Sequence, residues 1–338
     1  MAKAIPEKGT MEYGAWNALY HGLKLQPGEK VVVVTDKDQR KIGDTFSEQA
    51  RGLDGNVYLF VMEDFGGRPL TSLPAEIEDA LNGVNVTLYL AGTREGELAF
   101  RRPMIKTAVG NGARHGHGVG VNEEIMLTGM QADIPDSNRL CGEIGERLNN
   151  ILWARVTTEK GTDITLEFRP DIKWLVSDWD FTKKWHNIPS GEVFTWPYRT
   201  NGTYIVDGVL GDHFDGKYGS LQKTPVIYRV KDNHIVDIFC NNKDIERELR
   251  EYVFGTHNGD ILGELGVGTL PVDRLVYRML QDEKALGTVH IAHGSNYPEE
   301  TGAPDYGQST HCDGVMLRAT LQTNRDFILK NGVYQPRS

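Results

Sequence analysis

The segment GTVHIAHGSNYP, residues 287–298, places His290 and His293 three residues apart. Imidazole binds divalent metals and moves protons near neutral pH. Thr288, Val289 and Ile291 favour a strand, along which successive side chains point to opposite faces. His290 then shares a face with Ala292, and His293 with Val289 and Ile291. The two imidazoles cannot serve one site unless the strand ends between them. This parity selects His290 as the functional imidazole and leaves His293 in support or at the surface.

Further on, HCDGVM sets His311 and Asp313 two apart, on one side of a strand, where an imidazole nitrogen and a carboxylate oxygen can converge on a cation. Cys312 turns the other way and reads as a buried structural thiol. Two glutamates stand in unusual company. Glu192 opens the apolar strand of SGEVFTWP, and Glu264 lies among Gly263, Gly266 and Gly268 in LGELGVGTLP. Glycines let another strand or a ligand come close, and a core-facing carboxylate needs a cation or donors to offset its burial. Taken together, three carboxylates and one hydroxide balance two divalent cations. Such a donor set suits a two-metal hydrolytic centre better than a structural zinc.

Other groups carry weaker signals. RHGHGVGVNEE, residues 114–124, holds His115 and His117 with two acids and reads as a solvated loop. Asp282, Glu283 and Lys284 read as a solvated turn at a helix end, and Trp185 and Trp196 as core aromatics.

The elements that must position these groups fall into two styles. Residues 13–25 and 39–53 have helical spacing. KVVVVTD (30–36), VYLFVM (57–62) and VNVTLYLA (84–91) are β-branched runs typical of strands buried on both faces, and Pro74 opens a short helix to residue 81. Strands separated by single helices imply a mostly parallel sheet. No GxGxxG or GxxxxGK[ST] accompanies it, so nothing marks a nucleotide site. Asp136-Ser137 offers a helix N-cap ahead of Leu140, Ile144 and Leu148. Beyond that point strands dominate, with a hairpin around residues 231–233 and helices at 243–254 and 272–286, the latter ending at Gly287. The expected fold is an α/β N-terminal domain (1–120) with a mostly parallel sheet, followed by an α+β, strand-rich metal-binding domain (121–338).

The chain has 338 residues and a net charge of −10, which disfavours nucleic acid or an anionic membrane as partner. Three unpaired-looking cysteines, no apolar leader and no apolar run of membrane length point to a cytoplasmic protein.

SGEVFTWP, GELGVGT, DEKALGTVHIAHGSNYP and HCDGVM stand in the order and at the spacing found in the aminopeptidase T / aminopeptidase S family of metallopeptidases. The chain most resembles its shorter branch, the leucyl aminopeptidase (aminopeptidase T) type, from about residue 159 onward. The resemblance implies Glu192, Glu264, His290, His311 and Asp313 as metal ligands, and Tyr297 as a catalytic residue beside Glu264. It also implies two divalent ions (Zn, Co or Mn), a small peptide or amide substrate, and a homodimer. The family keeps residues similar to those at 282–284, which implies support for His290, and it usually has an apolar residue where His293 stands. Dihydroxypyridine ring-cleaving dioxygenases share that fold and form the alternative. They hold one Fe(II) with two His and one Asp, with His at the position of Glu264 and an apolar residue at that of Glu192.

Overall fold

The computed structural model describes residues 4–94, 96–182, 184–308 and 310–337. The chain forms two compact units. The first comprises Met1–Asn138 with Asp178–Ser190 and Val272–Arg274; the second comprises Arg139–Ser177, Gly191–Pro271 and Leu275–Ser338. The cut therefore falls near residue 138 rather than 120, and two later segments return to the first unit. Composition does not reveal such returns, because they depend on which sheet a short segment joins.

The first unit is built on a five-stranded sheet in the order Asn56–Val61, Lys30–Thr35, Val86–Leu90, Arg114–His117, His186–Asn187. Every pairing among its described residues is parallel. Val31 to Val34 are fully buried, as a strand covered on both faces requires. Asn56–Val61 differs from its expectation. It lies at the sheet edge, and Tyr58 is half exposed beneath the Lys30 ammonium. An apolar run does not tell how many strands flank it. Arg114–His117 is a strand, not a solvated loop, and both of its imidazoles are buried.

The second unit holds two antiparallel sheets. The larger has eight strands, and its Val226–Lys231/His234–Cys240 hairpin turns through Asp232 and Asn233, both with positive φ. The smaller has five, in the order His311–Met316, Val289–Gly294, Leu262–Gly268, Glu192–Thr195, Leu175–Ser177. One hydrophobic core contains residues of both sheets, among them Tyr204, Tyr228, Leu265 and Ile291, and the buried face Ile245, Leu249 and Val253 of the helix Lys243–Gly255.

Two helix expectations shift. Ile134–Leu148 begins before Asp136-Ser137, and the Asp133 carboxylate accepts the Asp136 N–H at 2.9 Å. Within residues 272–286 only the turn Met279–Asp282 is α-helical. Asp282 draws its carboxylate back onto the N–H groups of Val276 and Tyr277 (3.0 and 2.7 Å), and Tyr277 takes φ +54°, so a continuous helix cannot form. Gly287, at φ +95°, packs against the Gly332 carbonyl instead of capping a long helix.

Candidate metal centre

The five-stranded sheet of the second unit carries all five expected donors on one face. The strand Val289–Gly294 is flanked by Leu262–Gly268 on one side and His311–Met316 on the other. Glu264, Ala292 and Asp313 lie in one cross-strand row. His290 sits opposite Gly266, His311 opposite Gly294, and Glu192 opposite Gly268. The small residues between the donors leave space over the sheet. A Cβ on Gly266 would fall 1.9 Å from His290 Nε2.

A register shift between Leu262 and Glu264 makes Gly263 the extra residue of a bulge. It reverses the parity of the strand, so Leu262 pairs with His293 on the far face while Glu264 joins His290 on the near one. Gly263 is obligatory there, since a Cβ would meet the Ser295 and Gly294 carbonyl oxygens at 2.3 and 2.5 Å.

The donors form two overlapping groups, Glu192–Glu264–His290 and Glu264–His311–Asp313, with donor atoms within 4.8 Å of one another in each. Glu264 belongs to both. Its Oε1 is 3.0 Å from His290 Nε2, and its Oε2 is 3.7 Å from His311 Nε2. Glu192 Oε2 lies 3.5 Å from His290 Nε2, and Asp313 Oδ2 lies 3.2 Å from His311 Nε2.

Each imidazole is oriented from behind. His290 Nδ1 faces the Glu283 carbonyl at 3.1 Å, and His311 Nδ1 faces the Ser295 carbonyl at 2.9 Å. A carbonyl only accepts, so Nδ1 carries the hydrogen in both rings and Nε2 is turned to the carboxylates. Asp313 Oδ1 is buried and accepts no hydrogen bond from the described residues. An orphan carboxylate oxygen, two Nε2 atoms fixed by carbonyls and a shared glutamate suit divalent cations.

The electrostatics agree. Burial alone would lower the His290 pKa, but the hydrogen bond to Glu264 and the Asp313 charge raise it to about 9. His311 is likewise raised, against burial, to about 10 by Asp313 and Glu264. Burial raises Glu264, and His290 opposes that shift. Asp313 is held below the usual carboxylate range, against burial, chiefly by His311. The high proton affinity of both rings reports a strongly negative potential, which favours cations.

Tyr297 borders this face, its ring centroid 4.8 Å from that of His311 and 6.0 Å from that of Phe194. It takes the left-handed conformation at φ +47°. Desolvation, then the charges of Glu264 and Asp313, raise its pKa, so the phenol keeps its proton as a donor.

His293 lies on the opposite face, as parity requires, and is buried rather than exposed. It is 1% exposed, its Nδ1 faces the Gly259 carbonyl at 2.8 Å, and its ring neighbours are Tyr228 and Tyr252. Cys312 is buried and points toward Gly211. In the first unit, His115 Nε2 and His117 Nδ1 are 3.1 Å apart with Trp185 against both rings, and among the described residues no third donor completes a metal group there. Trp196 packs with Ile172, Ala303 and Tyr306.

Charge at 282–284 is the feature read least well from sequence. Asp282, Glu283 and Lys284 are buried, and Lys284 is completely so. Its ammonium contacts Glu283 and lies 3.6 Å from Glu192 Oε1. Against burial, the Glu192 and Glu283 charges raise its pKa. A charged triplet normally marks solvent, and only the family resemblance hinted otherwise.

Solved structures that share the fold include the following two. The 2,5-dihydroxypyridine dioxygenase from Pseudomonas putida KT2440 is 15% identical, with a TM-score of 0.74 over 98% of this chain and 99% of that one. AmpT from Thermus thermophilus is 16% identical, with a TM-score of 0.68 over 96% of this chain and 98% of that one. Curated protein sequences gave no match. No helix among the described residues is long and apolar enough to cross a membrane. Residues 136–312, just over half of the 338, match the family model described as thermophilic metalloprotease (M29), a span that includes Glu192, Glu264, His290 and His311, and the chain belongs to that metallopeptidase family.

Proposed function

We propose that the protein is an aminopeptidase that releases N-terminal residues or cleaves small amides with two divalent cations, Zn, Co or Mn. Glu192, Glu264 and His290 would hold one ion, and Glu264, His311 and Asp313 the other. The observation that carries this reading is the Glu264 carboxylate, each of whose oxygens faces a different imidazole. That placement supports Glu264 as the glutamate that would be shared by both ions, a role that residue types alone left open between Glu264 and Glu192. When bound, the ions lower the pKa of a water between them and polarise the scissile carbonyl.

The chain's own groups supply the rest. The Glu283 and Ser295 carbonyls keep Nε2 of both imidazoles directed into the site. One of the two glutamates, Glu264 or Glu192, would take a proton from the attacking water and pass it to the leaving amine. The protonated Tyr297 phenol donates to the oxyanion that develops on the carbonyl. A cytoplasmic homodimer acting on small peptides completes the proposal.

Elemental analysis and an amide panel test it together. Two ions per chain with hydrolysis of N-terminally free peptides support it. One Fe(II) per chain with oxygen uptake on a dihydroxypyridine would replace it with the ring-cleaving alternative.

A further inference from the structure

The two proposed cation positions differ, among other respects, in how closely the Lys284 ammonium approaches their carboxylates. Among the described residues, Glu264 and Asp313 make ion pairs only with imidazoles. Glu192 divides its carboxylate: Oε2 lies 3.5 Å from His290 Nε2, while Oε1 lies 3.6 Å from Lys284 Nζ. A cation at the Glu192–His290 position would therefore have one Glu192 oxygen and would sit beside a buried ammonium. Burial leaves little water to screen that charge. Glu283, which contacts the same ammonium, offsets part of the repulsion.

We propose that Lys284 makes the two metal positions unequal, so that the ion at Glu192 and His290 is bound more weakly and exchanges first, while the ion at His311 and Asp313 stays resident. Lys284 acts through Glu192 and is a positioning residue, not a catalytic one. The proposal rests on the two-cation reading above. It goes further in assigning an order of loading to that site and a residue that sets it.

The test is metal binding on the full chain, without reference to turnover. Metal-free protein is titrated with Zn(II) against a competing chelator, bound zinc is counted by elemental analysis, and folding is followed by circular dichroism. Two ions are expected, with dissociation constants at least about tenfold apart, the scale set by a like charge in a poorly screened site. Glu192→Gln should keep one ion with the tighter constant. Lys284→Met should tighten the weaker position by about tenfold and narrow the gap. Glu283→Gln should move it the other way, which keeps the proposal testable if Lys284→Met fails to fold. Two equally tight ions in the parent protein, or a gap unchanged in the folded variants, would overturn the role of Lys284 alone. One ion or none in the parent protein would overturn the two-cation reading and this inference with it.

Discussion

Gly266 and His290 face each other across paired antiparallel strands, and the imidazole occupies the volume that a side chain on residue 266 would need. A methyl group there would fall 1.9 Å from His290 Nε2, the atom aimed at Glu264 and Glu192. The ring cannot yield without losing its hold on the Glu283 carbonyl. Gly266→Ala is expected to cost about 1–3 kcal/mol in the metal-free protein through overpacking. It should also lower hydrolysis at least ~100-fold by displacing a ligand by about an ångström. Denaturant unfolding and peptide hydrolysis, measured together, check both effects.

Glu264→Gln removes the charge common to both donor groups while keeping the shape of the side chain. Hydrolysis should fall by about three orders of magnitude or more, and both ions should bind less tightly. His311→Ala should abolish hydrolysis with the fold intact. Full activity in either variant refutes the assignment.

Chelation should destabilise the protein, because binding to the native state alone raises stability by mass action. At free metal one hundred times the dissociation constant, the gain is about 2.7 kcal/mol, several degrees in Tm. A melting temperature indifferent to chelator and to restored Zn(II) would contradict a native metal centre.

Acid should weaken the first unit through His115 and His117. Burial lowers the His115 pKa to about 3 and that of His117 well below its ordinary value, whereas the unfolded chain titrates near ~6.5. The depressed native values mean that the unfolded state binds more protons below pH 6.5. Stability is therefore complete above that pH and declines as pH falls toward 3. The His115 share should reach roughly 3 kcal/mol by pH 4. Denaturant midpoints of metal-free protein at pH 7 and pH 5 should converge in His115→Gln relative to the parent. The second unit's proposed ligands are common to both proteins and cancel in that comparison.

Cys312 sits between two proposed ligands in sequence but on the other face of its strand. Cys312→Ala should keep hydrolysis within about threefold while losing about 1–2 kcal/mol of stability as a small cavity forms. Loss of activity in a folded variant would reinstate the thiol as a reacting group.

The sequence was most legible where period and chemistry coincide. The parity of TVHIA separated His290 from His293, and that of HCD separated His311 and Asp313 from Cys312. It was least legible where a three-dimensional neighbour decides. Nothing local announces the bulge at Gly263, yet without it Glu264 would share the far face with Leu262. Lys284 looked solvated because its partner Glu192 is 92 residues away in the chain. His115 and His117 looked like loop residues because glycines surround them, whereas strands distant in sequence, Val86–Leu90 and His186–Asn187, flank them and Trp185 packs on both rings.

The spread of the donors along the polypeptide has a consequence for biosynthesis. Glu192 leaves the ribosome 121 residues ahead of Asp313, and the strand that carries Asp313 must zip onto the one that carries His290 before the second pocket exists. A metallopeptidase arranged in this way has no complete donor set until the strand that carries Asp313 has emerged and paired.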